Sequence, residues 1–199
     1  MPRHIRTATS EDAAAVGRIY APYVRDTAVS FEVTPPDPDE MGRRISATLG
    51  LHPYLVLEED GEVQGYAYAG PFAARAAYRW SVEVTVYVAE ARRGCGVGGA
   101  LYVELLALLT RQGFHAAFAG ITLPNAASVG LHERYGFVHA ATFSRVGYKL
   151  GAWRDVGWWR RDLAPALPDP AEPLAFPDLV RPRGGVITPP LERRLSRRR

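Results

Sequence analysis

Glu83-Val84-Thr85-Val86-Tyr87-Val88, followed by Arg92-Arg93-Gly94-Cys95-Gly96-Val97-Gly98-Gly99-Ala100-Leu101, is the stretch on which the fold turns. The first part is rich in β-branched and aromatic residues and reads as a strand. The second is a glycine-rich turn with two arginines. Leu101, Leu105, Leu108 and Leu109 then fall at helical core spacing in a segment that runs to Gln112. Strand, glycine turn and helix in that order place a row of backbone N–H groups at a helix N-terminus, where anions bind. The stretch therefore predicts a site for a phosphorylated ligand.

Outward from it, residues 4–8 read as a short first strand. Ser10 caps a helix over residues 13–26. Residues 30–33 read as a brief extended piece stopped by Pro35-Pro36, and Asp37 opens a helix that Gly50 ends. Residues 54–58 and 63–68 flank Asp60-Gly61 as a hairpin. Residues 71–78 form a loop or short helix, and 81–88 are the strand already quoted. Beyond the central helix come a strand at 116–123 and a helix at 125–135 closed by Gly136. Two last strands follow at 137–146 and 148–163, with a turn near Gly151. The order β-α-α-β-β-β-α-β-α-β-β is α+β with a mixed central sheet, not a doubly wound one. Residues 1–164 make one domain. Residues 165–199 are proline-rich, then arginine-rich (Arg193, Arg194, Arg197, Arg198, Arg199), and read as a disordered tail.

Composition excludes several classes. The 199 residues suffice for a core, and their net charge of +3 is misleading. The seven arginines after Pro165 exceed the four acids there by three, so the body is near neutral and a nucleic-acid face is disfavoured. Lys149 is the sole lysine and Cys95 the sole cysteine. One cysteine permits no disulfide framework, which points to the cytoplasm. No apolar run reaches the ~20 residues of a membrane span.

Several templates fit the glycine turn. A P-loop needs Lys-Ser or Lys-Thr after the last glycine, where this chain has Gly99-Ala100. Gly94-x-Gly96-x-x-Gly99 matches a dinucleotide fingerprint, but the next strand ends without the acidic residue that fingerprint expects. A plain structural turn needs fewer glycines. Arg93-x-x-Gly96-x-Gly98 resembles the pyrophosphate loop of the GNAT acetyltransferases. Asn125-x-x-Ser128, opening a helix that ends in Tyr135-Gly136-Phe137, strengthens the resemblance. Phe31, residues 66–71, Arg75-Ala76-Ala77-Tyr78, residues 83–88, His132-Glu133 and residues 151–159 are similar to the phosphinothricin acetyltransferases within that superfamily.

The resemblance implies a GNAT sheet splayed at the acetyl-CoA site. It also implies acetyl transfer to the α-amine of a small amino-acid-like acid, without a metal. Arg93 and the backbone of Gly94, Cys95, Gly96, Val97, Gly98 and Gly99 would hold the pyrophosphate. Val86, Tyr87 and Val88 would pair with the pantetheine arm as an added strand would, and Asn125 and Ser128 would touch coenzyme A. Glu83, a carboxylate in an apolar strand, is the candidate general base. His132 stands where a proton donor to the departing thiolate is expected, or it shares the base's work. Arg75 and Tyr78 would hold the substrate's acid group and Phe31 would wall the pocket. Ala73 and Glu32 stand where basic residues occur in enzymes that take phosphinothricin itself. The family is commonly dimeric, and Trp153, Trp158 and Trp159 are candidates for a homodimer contact. Rival readings are a GNAT acting on a protein N-terminus or polyamine, and a non-catalytic CoA-binding regulator.

Overall fold

The computed structural model describes residues 3–181 and the strand Arg193–Leu195. The elements are β1 (Arg3–Thr7), α1 (Ala13–Asp26), α2 (Pro38–Leu49), β2 (Tyr54–Glu59), β3 (Glu62–Pro71), β4 (Ser81–Val88), α3 (Val97–Gln112), β5 (Ala116–Leu123), α4 (Ala126–Arg134), β6 (Val138–Lys149), β7 (Ala152–Asp162), α5 (Phe176–Val180) and β8 (Arg193–Leu195). The strands form one mixed sheet in the order β6-β7-β5-β4-β3-β2-β1-β8. Every neighbouring pair is antiparallel except β4 and β5.

Local chemistry sets most boundaries. Asp60 and Gly61 both take positive φ, as a two-residue type I′ hairpin between β2 and β3 requires. Asp37 accepts from the Glu40 N–H at 2.8 Å and starts α2. The entry to α1 is built on Thr9 and Asp12 rather than on Ser10. The Thr9 N–H donates to the Asp12 carboxylate at 2.8 Å, and Arg6 clamps that carboxylate with two bonds of 2.7 Å. Gly113, at φ 91°, ends α3 in the left-handed conformation.

Two apolar layers cover the sheet. On one face Val82, Val84, Ala117, Ala119 and Ile121 pack with Leu101, Leu105, Leu108 and Leu109 of α3. On the other, Tyr54, Val56 and Tyr66 pack with Val16, Ile19, Tyr20 and Ile45 of α1 and α2. Gly65 lets α3 start close to the sheet: a Cβ there would stand 2.7 Å from Val97 Cγ1.

Three expectations need correction. Residues 30–33 are irregular, not extended, because side chains rather than a sheet partner hold them. Tyr148 belongs to β6, and the turn is Leu150-Gly151, both at positive φ. Residues 171–180 are not a loose tail: Phe176 is 3% exposed, and its N–H donates to Leu51 O. Gln112 Nε2 donates to the carbonyls of Leu51 and Leu174, and Trp80 donates to Ala171 O. Phe176, Leu174 and Leu179 give this segment the apolar anchors that its proline content obscured. Arg197, Arg198 and Arg199 lie outside the described residues.

Candidate active site

β4 and β5 pair over only three positions, Ser81 with Ala116, Val82 with Ala117 and Glu83 with Phe118. Beyond them, residues 84–88 of β4 pair with no strand but β3, and residues 119–123 of β5 with no strand but β7. The sheet therefore splits into a V whose apex is Glu83. A cleft of about 320 Å³ opens there. Among the predicted site residues, it brings together Phe31, Glu83, Val86, Tyr87, Asn125, Ser128 and His132.

Glu83 is half-buried and makes no hydrogen bond to another described residue. Burial alone pushes its carboxyl above the ordinary range. Across the gap, Gly120 leaves the space beside it: a Cβ there would stand 3.7 Å from Glu83 Oε1 and 3.4 Å from the Trp158 ring.

His132 is 4% exposed on α4, and both ring nitrogens are engaged. Nδ1 lies 2.7 Å from the Ser128 carbonyl, which can only accept, so Nδ1 carries the proton. Nε2 then accepts from the Tyr102 hydroxyl at 2.7 Å. Burial lowers the His132 pKa, so the ring is neutral at neutral pH. That arrangement does not suit the expected direct proton donor. Tyr102 itself is fully buried, and burial and then the Glu83 charge hold its hydroxyl protonated. It sits in α3 among core leucines, so its spacing gave no sign of a polar role.

The start of α3 has the form expected of an anion site. Gly94 and Gly96 take φ of 74° and 80°, a region other residues avoid. Among the described residues no side chain caps the first turn, whereas α2 and α4 open on the side chains of Asp37 and Asn125. The donors of Val97, Gly98 and Gly99 are thus available to phosphate oxygens. Gly98 abuts Val86, Val88 and Leu131 and joins this end to the gap. Cys95 is exposed beside it. Arg93 is turned elsewhere: its guanidinium lies 4.8 Å over the Tyr23 ring, and Nε donates to Tyr23 Oη. The Tyr23 hydroxyl in turn donates to Val88 O at 2.7 Å, so one lone pair of that carbonyl is already engaged. Asn125 Oδ1 is likewise engaged, capping Ser128 N at 3.1 Å.

Arg75 and Tyr78 do not reach the cleft. Both are exposed on the loop joining β3 to β4. That loop sits at the end where β4 and β5 are still paired, while the gap opens toward the other end. What the loop contributes is Phe72, stacked on Phe118 at 4.3 Å and edge-on to Trp158 at 5.8 Å. Besides Tyr102, sequence reasoning did not place Tyr68, Thr85 or Val156 at the site and gave Trp158 to a homodimer contact, yet all four line the cleft. Period-two alternation with Glu83 was the available signal for Thr85.

The Phe31 wall is held from a distance. Phe31 rests on Gly147 of β6, in space that any side chain at 147 would fill. Lys149, two residues on, donates to the carbonyls of Val24, Ser30 and Glu32 at 2.6, 2.6 and 2.7 Å. All three ammonium protons are used. Arg44 and Tyr20 bind the Glu32 carboxylate. Of the three expected interface tryptophans, Trp159 is buried, Trp158 lines the cleft, and only Trp153 is exposed. Among the described residues no three His, Cys, Asp or Glu side chains cluster as metal ligands, and no helix is long and apolar enough to cross a membrane.

Comparison with known proteins agrees with this geometry. The family model for the acetyltransferase (GNAT) domain matches residues 5–158. Phosphinothricin N-acetyltransferase of Streptomyces viridochromogenes is 44% identical over 174 residues, covering 87% of this chain and 95% of that protein. The L-methionine sulfoximine/L-methionine sulfone acetyltransferase of Salmonella typhimurium is 38% identical over 160 residues, covering 80% of this chain and 94% of that one. A crystal structure of a GNAT phosphinothricin acetyltransferase from Sinorhizobium meliloti in complex with acetyl-CoA superposes with a TM-score of 0.83 at 35% identity. It covers 89% of this chain and 97% of that one. With its split sheet, its uncapped central helix and a family match over most of its length, the chain belongs to the GNAT acetyltransferases.

Proposed function

We propose that this chain transfers acetyl from acetyl-CoA to the α-amine of a small amino-acid-like acid in one ternary complex. The observation that carries the reading is the uncommitted Glu83 carboxylate at the apex of the V, with the open α3 N-terminus on one side and the Phe31 wall on the other. The named activities of the relatives support the substrate class.

Acetyl-CoA supplies a thioester carbonyl already activated for attack. The N–H groups of the α3 first turn, and the backbone of 94–99, fit its phosphates, and the free edge of 84–88 fits its arm. An amine attacks only when unprotonated, so the substrate ammonium gives its proton to Glu83, directly or through water. A carboxyl raised by burial is a stronger base than an ordinary one. His132, neutral and fixed by Ser128, holds the Tyr102 hydroxyl at the cleft floor rather than donating a proton itself. The enzyme works in the cytoplasm as a homodimer. The exposed side chains of Phe143, Val146, Tyr148 and Trp153 on the β6–β7 hairpin are the face offered to a second copy.

A coupled CoA-release screen over phosphinothricin, methionine sulfoximine, methionine sulfone and ordinary amino acids tests the substrate class. Turnover with at least one member of the panel is expected, and silence across it overturns the class. Glu83→Gln is expected to lower turnover about 100-fold or more, the usual worth of a general base, while acetyl-CoA still binds. Wild-type turnover in that variant overturns the base assignment.

A further inference from the structure

The two cations that hold the Phe31 segment are already committed. Arg44 is held by Glu32 and Glu40, and Lys149 by three carbonyls. Arg154 of β7 is partly buried, and its Nε is shielded from solvent with no hydrogen-bond partner. A guanidinium donor in that condition is costly unless an acceptor arrives.

Strand geometry says where it points. Side chains at i, i+2 and i+4 share a face, so Arg154 lies on the face of Val156 and Trp158, and both of those line the cleft. Across the hairpin Arg154 pairs with Gly147. Directly paired residues also share a face, and the space over Gly147 holds the Phe31 ring. Arg154 therefore borders the Phe31 end of the cleft. Trp158 pairs with Gly120, which adjoins Glu83. At about 3.3 Å per residue, four residues put Arg154 about 13 Å along the strand from that catalytic end.

The geometry points to Arg154 as the receptor for an oxyanion at the far end of the substrate's side chain. The α-carboxylate of an amino acid is one carbon from its amine, so an amine at Glu83 keeps that carboxylate near Glu83. What extends toward Arg154 is the terminus of a longer side chain. A planar guanidinium fork there selects a phosphinate or carboxylate over an apolar tail. The favoured substrate is thus an α-amino acid bearing a second, terminal oxyanion. This inference rests on the acetyl-transfer reading for its amine end only. It also supplies, from β7, a cation that the exposed loop with Ala73 and Arg75 does not bring to the cleft.

The test compares wild type, Arg154→Met and Arg154→Lys, with melting temperatures confirming that all three fold. Binding is measured first, by calorimetric titration of phosphinothricin and of methionine into the CoA-bound enzyme, where no turnover occurs. Arg154→Met is expected to weaken phosphinothricin binding by about 100-fold, with Arg154→Lys intermediate because the charge stays and the fork is lost. The loss for methionine is expected to be smaller by about tenfold or more. Equal losses for both ligands, no loss, or no phosphinothricin binding by wild type overturns the inference. Acetylation is then assayed separately. Arg154-dependent binding with no acetylation of any ligand leaves Arg154 standing and defeats the reaction reading instead. Acetylation with Arg154-independent binding does the reverse.

Discussion

On one side of Glu83 lie backbone groups: the free edge of β4, which lines the cleft, and beyond it the uncapped first turn of α3, reached through Gly94, Gly96 and Gly98. On the other it is made of side chains brought from far apart in the chain: Phe31, Tyr68, Val156 and Trp158, steadied by Lys149. Backbone donors recognise what every acetyl-CoA presents, its phosphates and its amide-bearing arm. Side chains recognise what differs between acceptors. In the proposed reaction a shared co-substrate and a variable substrate meet at one carboxylate through two kinds of construction, and each side should fail in its own way.

Gly96→Val strikes the backbone side hardest. A β-branched residue at φ 80° costs about 1–2 kcal/mol or rearranges the turn. The expected result is a KM for acetyl-CoA raised about tenfold or more, with the acceptor's KM little changed. A rise in both equally would erase the division between the two sides.

Lys149→Met strikes the side-chain side. It strands three carbonyls, at about 1–3 kcal/mol for an unsatisfied buried group, and frees the segment that carries Phe31. The acceptor's KM should rise about tenfold while acetyl-CoA affinity holds. Hydrogen exchange should accelerate at residues 24–33 and not at 94–99. Because Lys149 is the sole lysine, amine-reactive labelling reports its release directly: slow at Lys149 in the wild type, faster wherever the contact opens.

Glu83→Gln sharpens the role of the shared carboxylate. Its pKa is raised in the folded chain from the ordinary 4.5, so its contribution to stability is present below that value and is lost as pH rises through the raised one. Ionised Glu83 therefore burdens the fold at neutral pH. The variant should melt higher than wild type at pH 7–8, by about 2–4 °C for each kcal/mol recovered, and the difference should vanish toward pH 4. An inactive variant that is also less stable at pH 7 would mean that Glu83 has a structural partner.

Removal of residues 165–199 should touch neither side. Loss of the buried Phe176 side chain costs about 2 kcal/mol, roughly 4–8 °C in a chain of this length. Turnover and both KM values should persist. A loss of activity at temperatures where the truncated chain is folded would tie the segment at 171–180 to the cleft.

The legibility of these regions differs for the same reason that their chemistry does. The glycine turn before α3 and the DG hairpin are local: glycine spacing specifies them wherever they occur, and both were readable. Glu83 was readable because an acid is out of place in an apolar strand. Tyr102 was not, since a tyrosine among α3 leucines looks like core until His132 is found 2.7 Å from its hydroxyl. Arg75 and Tyr78 were assigned by resemblance and lie on an exposed loop at the closed end of the β4–β5 pair. Phe176 was hidden among prolines.

By itself the sequence determined the order of elements as far as β7, the glycine turn that opens α3, and the acid at the head of that turn's strand. Only the tertiary structure decided that β4 and β5 part after Glu83, that His132 faces Tyr102 and is neutral, and that Lys149 and Arg154 stand at the Phe31 wall. Backbone conformation answers to neighbours a few residues away, whereas pairing, burial and protonation answer to residues that only the folded sheet brings together.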